Sequence, residues 1–276
     1  MKRIATVQDI SCLGKCSLTV ALPIISAMGV ECCVVPTAVL STHTMFSRFT
    51  FRDLTEDIPE ILDHWSEEKF HFDAIYTGYL GSARQLNMVA DMFVRFSGLR
   101  VVDPVMADHG KLYAGFAPEF PTQMANLCAK ADVILPNLTE ACLMLGEEYT
   151  ENYDRAFIER LLRRLTAMGA KCAVLTGMCF EENKVGFLGY DAQKDTFFEY
   201  YNEKVDASYH GTGDIFASVT VGGLMRGLSL VDALTLAADY TRECIRLTAQ
   251  AQVDLGYGVY FEAVLPQLMR NLEEKV

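Results

Sequence analysis

The chain has 276 residues, of which 51% are hydrophobic and 22% charged, the ordinary balance of a globular protein with a sizeable buried core. Its formal net charge of −12 argues against nonspecific nucleic-acid binding, because a phosphate backbone attracts patches of Lys and Arg. The nine cysteines include no Cys-x-x-Cys pair, so free thiols in a reducing compartment are favoured over zinc ligands or disulfides.

Short apolar runs alternate along the chain with longer segments of helical period. The predicted strands cover residues 4–8, 31–35, 74–77, 99–102, 133–135, 173–175, 185–190 and 196–201. The predicted helices cover residues 17–28, 58–68, 83–96, 121–130, 139–145, 157–168 and 265–272, and a further one begins at 214. This alternation, uninterrupted by a Gly-rich or Pro-rich linker, predicts one α/β domain over residues 1–276, with a mostly parallel sheet between two layers of helices.

The apolar run at residues 4–7 is too short for the core of a signal peptide. No later run approaches the length of a membrane span. We therefore expect a cytoplasmic protein that contacts no membrane.

Three of the predicted buried strands are followed directly by polar or small residues. These residues are Asp103, Asn137 and the pair Thr176 and Gly177. In open parallel sheets, ligands bind beyond the carboxyl ends of the strands. We therefore expect chemistry at these positions.

Two glycines flank a threonine just before an apolar segment of helical period, in Gly211-Thr212-Gly213-Asp214. The backbone amides of this turn would lie at a helix N-terminus, where unpaired N–H groups and the macrodipole favour an anion. A carboxylate at the same place can accept a proton from a substrate hydroxyl while the amides stabilise a transferred phosphoryl group. The alternative is that Asp214 only caps the helix and the glycines serve packing.

Asn137 and Glu140 stand three residues apart at a strand-to-helix junction. Glu140 can reach Mg²⁺ directly or through water while Asn137 caps the helix, or the two can form a simple capping pair. Asp103 and Asp108 add two carboxylates after the preceding strand, either as further metal ligands or as turn residues. Convergence of these strand ends would favour the catalytic interpretation.

Other nucleotide-binding motifs are missing from the sequence. No Gly-Lys-Ser/Thr follows the glycines at 211 and 213, and no Gly-x-Gly-x-x-Gly opens the chain. Gly14-Lys15 lacks the upstream glycine of a P-loop. We expect it to form the turn that starts the first helix beneath the substrate.

These segments resemble the ribokinase-like superfamily of sugar, nucleoside and vitamin kinases, through Gly211-Thr212-Gly213-Asp214 and the upstream Asn137-Leu138-Thr139-Glu140. The stretch from Asp103 to Tyr113 is similar to the Asp-Pro-Val-Met-Gly-Asp-x-Gly-x-x-Tyr stretch of pyridoxal and pyridoxamine kinases. Thr77-Gly78-Tyr79-Leu80 and Ser41-Thr42-His43-Thr44 look like the ring-contacting segments of that family. The similarity runs in order along essentially the whole chain.

The resemblance implies a ribokinase-like three-layer sandwich that phosphorylates the 5′-hydroxymethyl group of pyridoxal, pyridoxamine or pyridoxine with ATP and Mg²⁺. It implies Asp214 as catalytic base and an anion hole formed by the amides of Gly211, Thr212 and Gly213. The implied metal ligands are Asp103, Asp108 and Glu140. The implied nucleotide contacts are Asp108, Tyr113, Asn137, Glu140, Thr176 and Gly177, and we add His210 as a further candidate contact of the nucleotide. The implied substrate contacts are Gln8, Asp9, His43, Thr44 and Tyr79. The family is usually homodimeric and is often assisted by a monovalent cation such as K⁺.

The chain departs from the family pattern at several positions. Asp9 stands where many members have Ser, and its carboxylate can pair with a protonated pyridine nitrogen or an amine, which would change the preferred vitamer. Residues 42–46 differ from the usual Asn-His-Thr-Gly-Tyr of the pocket wall, and Ala107 replaces the common Gly. His210 replaces a small or apolar residue, and it either contacts nucleotide phosphate or simply packs.

Two other functions remain open at the level of sequence. A hydroxymethylpyrimidine kinase of the same superfamily would share the anion hole and the base but differ in its ring contacts. A catalytically silent ligand-binding relative would keep the fold, although a binder has no need of a base such as Asp214 beside an anion hole. A dinucleotide oxidoreductase is disfavoured, since its glycine fingerprint is missing.

Overall fold

Parallel strands connected through helices dominate the computed structural model, which describes residues 1–251 and 257–276. The strands are β1 (Arg3–Ser11), β2 (Glu31–Leu40), β3 (Phe51–Asp53), β4 (Ala74–Thr77), β5 (Leu99–Val102), β6 (Ala107–Asp108), β7 (Lys111–Leu112), β8 (Val133–Ile134), β9 (Cys172–Met178), β10 (Lys184–Asp191) and β11 (Thr196–Glu203). The helices are α1 (Leu18–Ala27), α2 (Ile58–Glu67), α3 (Ala83–Arg95), α4 (Phe120–Cys128), α5 (Leu138–Leu145), α6 (Arg155–Ala167), α7 (Thr212–Met225), α8 (Leu230–Gln250) and α9 (Leu265–Glu273), with a 3₁₀ turn at Glu262–Val264.

Within these described ranges the main sheet has nine strands in the order β11-β10-β9-β8-β5-β4-β1-β2-β3. Its centre is parallel, from β9 through β8, β5, β4 and β1 to β2. The hairpin β10–β11 and the short strand β3 are antiparallel additions at the two edges. The register between β1 and β2 shifts between Gln8 and Ile10, so the ladder is irregular at Asp9. Such irregularities often re-aim a side chain beside an active site.

Helices cover both faces of the sheet, because each central strand is apolar on both sides. Alternate residues of β1 show this: Ala5 packs into the core formed with α2 to α6, while Ile4 packs into the core on the other face, beneath α1, α7 and α8. A third cluster fills the space between α1, α7, α8 and α9. The predicted three-layer α/β sandwich is confirmed.

The predicted strands and helices are all present, with β2 and β9 extending further than the sequence indicated. The strand β3, the hairpin β6–β7, helix α8 and the 3₁₀ turn were missed. Strand β3 has only three residues. The hairpin β6–β7 consists of two-residue strands, which are too short to show any periodicity. Helix α8 has 21 residues and did carry a signal, since Ser229 accepts the N–H of Asp232 as an N-cap before a long apolar period.

The carboxyl ends of β1, β4, β5, β8 and β9 meet at one edge of the sheet, and α7 packs against α1, the helix that follows β1. The polar residues that follow these strands therefore share one region of the molecule. In the part of the chain that the structure describes, no helix is both long and apolar enough to cross a membrane.

Candidate active site

The anion hole predicted at Gly211, Thr212 and Gly213 forms the start of helix α7. Gly211 has φ +81°, and a Cβ on it would lie 2.0 Å from the carbonyl oxygen of Lys15, so only glycine fits there. A Cβ on Gly213 would have no atom within 4 Å, so the space beside this amide is open. The helix begins at Thr212, two residues earlier than predicted, which places Asp214 in its first turn.

Asp214 is a buried carboxylate at the meeting point of two helix N-termini. It belongs to α7, and the backbone N–H of Ser17, the residue before α1, acts on it to lower its pKa. Burial raises the pKa of Asp214 to about 7, and the negative charge of Asp9 adds to the rise against the lowering effect of the Ser17 N–H. A carboxylate with such a pKa can take up and release a proton near neutral pH.

Asp9 is the second buried carboxylate of the region, and only 5% of its surface is exposed. Burial raises its pKa, while the neighbouring hydroxyls of Ser17 and Ser11 act in the opposite direction. The Ser11 oxygen lies 3.4 Å from a carboxylate oxygen of Asp9. Within residues 1–251 and 257–276, Asp9 forms no salt bridge, so its charge lacks a cationic partner from the chain.

Asp103 and Glu140 form a pair of buried carboxylates. Burial raises the pKa of Asp103 well above its ordinary range, and the charges of Glu140 and Asp214 raise it further. Burial also raises the pKa of Glu140, although several backbone N–H groups donate to it. Neither side chain has a Lys or Arg partner in the described ranges, so a cation is the natural complement of the pair.

Asn137 and Glu140 form the capping box that the sequence allowed. The Asn137 side chain accepts the N–H of Glu140, and Glu140 accepts the N–H of Asn137, both at 2.9 Å. Glu140 also accepts the N–H of Met106 at 3.1 Å, and the Asn137 amide donates to the carbonyl of Ala107 at 2.8 Å. The box therefore ties α5 to the segment that follows Asp103, and Glu140 keeps lone pairs for a further ligand.

Asp108 does not join Asp103 and Glu140 as a third buried carboxylate. It lies on the hairpin β6–β7, is 53% exposed, and accepts the N–H of His109 at 2.8 Å. Positive φ values at His109 and Gly110 form the tight turn of this hairpin. In the portion of the chain that the structure describes, no three His, Cys, Asp or Glu residues are grouped as metal ligands. Of the three predicted carboxylates, only Asp103 and Glu140 form a buried pair. Asp108 lies on a flanking hairpin, because its carboxylate accepts a hydrogen bond within the turn.

Tyr113 follows the same hairpin and donates its N–H to the carbonyl of Met106 at 2.9 Å. Burial raises the pKa of its hydroxyl, and the charges of Glu140, Asp108, Asp214 and Asp103 raise it further. Tyr113 is 37% exposed, and its hydroxyl lies within the electrostatic influence of these carboxylates.

Thr176 and Gly177 lie at the carboxyl end of β9. The Thr176 N–H donates to the carbonyl of Pro136 at 3.1 Å, which joins β9 to the segment before α5. Gly177 is the extra residue of a bulge against β10 and has φ +72°, and a Cβ on it would have no atom within 4 Å. Both residues stand at the same sheet edge as Asp103.

The predicted ring contacts differ in how deeply they are buried. Gln8 is fully buried and donates to the Thr6 hydroxyl at 2.7 Å. Tyr79 is half-buried, and burial raises its pKa to about 12, with the charge of Asp9 adding to the rise. Tyr79 therefore lies near Asp9, and its ring centroid is 5.6 Å from that of Phe116. Thr44, in contrast, is exposed.

His43 and His210 pack against each other, with ring centroids 4.4 Å apart. Burial, and then the neighbouring His43, lower the pKa of His210 to about 4, so it is neutral at pH 7. The structure thus places His210 against a predicted wall of the substrate pocket, the packing alternative of the sequence analysis. A neutral imidazole in this position is a poor phosphate ligand.

Lys15 does not face the anion hole. Its ammonium lies 2.7 Å from Glu262 and 4.6 Å from the ring centroid of Tyr260. The Gly14-Lys15 pair therefore forms the turn before α1, as expected, and supplies no phosphate-binding lysine. The residue that sequence reasoning missed is Ser17, because a serine at the start of a helix looks like an ordinary N-cap.

The sheet order and the open amides next to a buried carboxylate define a kinase of small molecules. A family model for phosphomethylpyrimidine kinase matches residues 21–260 of the chain. The chain belongs to this family of α/β kinases, and its resemblance to pyridoxal kinases of the ribokinase-like superfamily is confirmed.

Solved structures and curated relatives agree with this placement. A Bacteroides thetaiotaomicron protein described as a phosphomethylpyrimidine kinase is 41% identical, with a TM-score of 0.93 over 97% of this chain and 93% of its own. A second crystal form of it contains pyridoxal and has a TM-score of 0.92. Pyridoxal kinase from Lactobacillus plantarum is 32% identical, with a TM-score of 0.91 over 99% of both chains. Pyridoxal kinase of Pasteurella multocida is 27% identical over 91% of this chain and 90% of its own.

Proposed function

We propose that the chain phosphorylates the 5′-hydroxymethyl group of a vitamin B6 vitamer, namely pyridoxal, pyridoxamine or pyridoxine, with ATP as the phosphoryl donor. The observation that carries the proposal is Asp214, buried beside the anion hole with a pKa near 7. The names of the Lactobacillus plantarum relative and of the pyridoxal-containing Bacteroides form support the substrate class. The proposal includes a cytoplasmic homodimer in which residues 1–276 act as one kinase domain.

In the proposed reaction Asp214 takes the proton of the substrate hydroxyl as that oxygen attacks the γ-phosphorus. A bond forms between the hydroxymethyl oxygen and phosphorus, the bond from phosphorus to the β-phosphate oxygen breaks, and ADP leaves with that electron pair. The amides of Gly211, Thr212 and Gly213 point at the charge that develops on the phosphoryl oxygens. The positive end of α7 adds to this stabilisation.

The donor set also fits a hard divalent cation. Asp103 and Glu140 are buried carboxylates without a cationic partner in the described ranges, and Mg²⁺ is usually bound by one or two carboxylates together with substrate phosphates. Mg²⁺ would supply neutralisation of the phosphate charge there, with Asp108 on its hairpin beside the phosphates. A monovalent cation such as K⁺ belongs to the same proposal.

We assign the nucleotide to the side of the site formed by β8 and β9. Gly177 borders open space, Thr176 precedes it, and Asn137 anchors the neighbouring segment at Ala107. Tyr113 would cover the phosphates. His210 is not part of this assignment, because it is neutral and packs on His43.

We assign the substrate ring to the pocket between Tyr79 and His43, with Gln8 at its floor and Thr44 at its rim. Asp9 is the polar group of this pocket that lacks a cationic partner in the described ranges. A protonated pyridine nitrogen would supply that partner through a charge-assisted hydrogen bond. Asp9 would thus favour vitamers bound with a protonated ring.

Hydroxymethylpyrimidine is the second candidate substrate. The matching family model is named for phosphomethylpyrimidine kinase, and the Asp9 carboxylate can accept hydrogen bonds from an amino-substituted pyrimidine as well. Both substrates would use the same base and anion hole, so the choice lies in the ring pocket alone.

Phosphate transfer from MgATP to pyridoxal, pyridoxamine, pyridoxine and hydroxymethylpyrimidine tests the proposal, with Asp214→Asn as the matched variant. Transfer to a B6 vitamer by the wild type, lost in the variant, would support it. Transfer to the pyrimidine alone would leave the base in place and overturn the substrate. Absence of turnover with all four would favour the silent ligand-binding relative.

A further inference from the structure

Gln85, in the first turn of α3, is a polar side chain buried where several segments meet. Only 2% of its surface is exposed. Its side-chain oxygen accepts the backbone N–H of Gly81 at 2.7 Å, in the segment that follows β4. Its side-chain nitrogen donates to the carbonyl of Thr37 on β2 at 3.1 Å and to the hydroxyl of Thr55 after β3 at 2.9 Å. One amide therefore joins α3 to three other parts of the chain.

The partners of Gln85 fix the direction in which its amide points. The N–H of Gly81 can only donate, and the carbonyl of Thr37 can only accept. A reversed amide would lose both hydrogen bonds and leave buried polar groups unpaired, which destabilises a protein. The side chain of Gln85 is therefore held in one orientation by backbone groups that come from different segments.

Thr37 holds the same segment from the side of β2. Its hydroxyl donates to the carbonyl of Tyr79 at 3.2 Å, and the residue is fully buried. The carbonyl of Tyr79 and the N–H of Gly81 are thus both bonded to side chains, and Thr37 and Gln85 are bonded to each other. Residues 79–81 are therefore fixed at both ends, by β2 and by α3.

The ring of Tyr79 rests on the backbone that Gln85 holds. A Cβ on Gly81 would lie 3.5 Å from Cε1 of Tyr79 and 3.6 Å from its hydroxyl oxygen, so the ring folds back over Gly81. The same ring lies 5.6 Å from that of Phe116, measured between centroids. A shift of the Gly81 backbone would therefore move the surface that supports the Tyr79 ring.

We infer that Gln85 is a positioning residue for the substrate ring, which fixes residues 79–81 together with Thr37 and so sets the place of the Tyr79 ring. Its role in binding rests on the proposed function, in which Tyr79 is a wall of the ring pocket. The hydrogen bonds themselves do not depend on the substrate. Because these bonds lead to the ring wall and not to Asp214, their loss should weaken binding of the ring and leave phosphoryl transfer largely intact.

Amide hydrogen exchange tests the hydrogen bonds of Gln85 without any substrate. It is followed by nuclear magnetic resonance on the full chain, labelled in the backbone nitrogens. Gln85→Met keeps the length of the side chain and removes its hydrogen bonds. The N–H of Gly81 then loses its acceptor, so it should exchange about tenfold faster than in the wild type.

Ser82→Ala is the matched control, because the Ser82 side chain caps α3 by accepting the backbone N–H of Gln85 at 3.3 Å. It weakens the same helix and leaves the side-chain bonds of Gln85 in place. With an active wild type, Gln85→Met should raise KM for the ring substrate about tenfold, while kcat and KM for MgATP change less than about twofold. Thr37→Val, which removes the bond to the Tyr79 carbonyl, should raise the same KM. Ser82→Ala should change none of the three constants.

A Gly81 amide that exchanges equally fast in the wild type and in Gln85→Met would overturn the inference. So would a KM for the ring substrate that rises as much in Ser82→Ala as in Gln85→Met, since that pattern indicates a general loosening of α3. If Gln85→Met does not fold, Thr37→Val decides, and an unchanged KM in that variant overturns the inference. A wild type that phosphorylates no ring substrate would instead overturn the proposed function, because the exchange result is obtained without substrate.

Discussion

Ionisation of Asp214 should control the pH dependence of turnover. Burial raises the pKa of Asp214 to about 7, so the ionised base predominates only above pH 7. In the free enzyme kcat/KM should therefore fall about tenfold per pH unit below pH 7 and level off above pH 8. Asp9→Asn removes a negative charge that opposes ionisation of Asp214, so this limb should move to lower pH.

The variant Asp214→Asn measures how much the catalytic base contributes to the rate. The amide has nearly the same shape and keeps a hydrogen-bond acceptor, so the fold around α7 should be kept. A positioned general base contributes on the order of 10² to 10⁴ in rate. We expect kcat to fall by that factor while KM for the vitamer changes little, since the ring contacts are made by other residues.

The assay measures the initial rate of ADP release at saturating MgATP. The concentration of the best vitamer is varied at each pH from about pH 5.5 to pH 9. The reasoning fails if the wild-type profile is flat from pH 5.5 to pH 8, or if Asp214→Asn keeps more than about a tenth of wild-type kcat. A limb that moves upward in Asp9→Asn would show that the two carboxylates do not interact as the structure places them.

Further predictions concern glycine, metal and stability. Gly211→Ala should lower the melting temperature strongly, because its Cβ would lie 2.0 Å from the Lys15 carbonyl oxygen. Gly213→Ala should melt like the wild type but have a lower kcat, because its Cβ would enter the open space of the anion hole. Equal melting curves for the two variants would contradict this. Asp103→Asn should raise the Mg²⁺ concentration needed for half-maximal rate, and an unchanged titration would remove Asp103 from the metal site. Since burial raises the pKa of Asp214 from 3.8 to about 7, the folded chain binds that proton more tightly than the unfolded chain, and stability falls as pH rises between those values. Asp214→Asn should therefore raise the melting temperature at pH 8 and not at pH 4, and the same difference at both pH values would refute the linkage.

Much of the site could be predicted because parallel strands bring their carboxyl ends to one edge. Asp103, Asn137 and Thr176 follow strands whose apolar runs are visible in the sequence, so their proximity follows from topology. The turn at Gly211 was also visible, since two glycines before a helical segment indicate a backbone that a Cβ would obstruct. These features depend on local sequence and on the direction of the strands.

The remaining features depend on contacts between distant segments, which periodicity does not report. Asp108 matched a family pattern in sequence, but its side chain is taken up by the turn at His109. His210 was assigned to the nucleotide because it precedes the anion hole, yet its ring packs on His43, which is 167 positions away in the chain (210 minus 43). Ser17 acts on the pKa values of Asp9 and Asp214 only because α1 and α7 pack side by side, a contact between distant segments that the sequence does not reveal.

The buried carboxylates of this site carry negative charge that bound cations would have to neutralise. Asp9, Asp103, Glu140 and Asp214 are all buried, and in the described ranges none forms a salt bridge with a Lys or Arg. Lys15, the nearest candidate in the turn before α1, is held by Glu262 instead. A nucleotide alone would add negative charge to this region, so its phosphates would bind well only together with a cation at Asp103 and Glu140. A protonated ring would neutralise the charge of Asp9 in the same way. Asp214 would then be free to ionise and accept the hydroxyl proton.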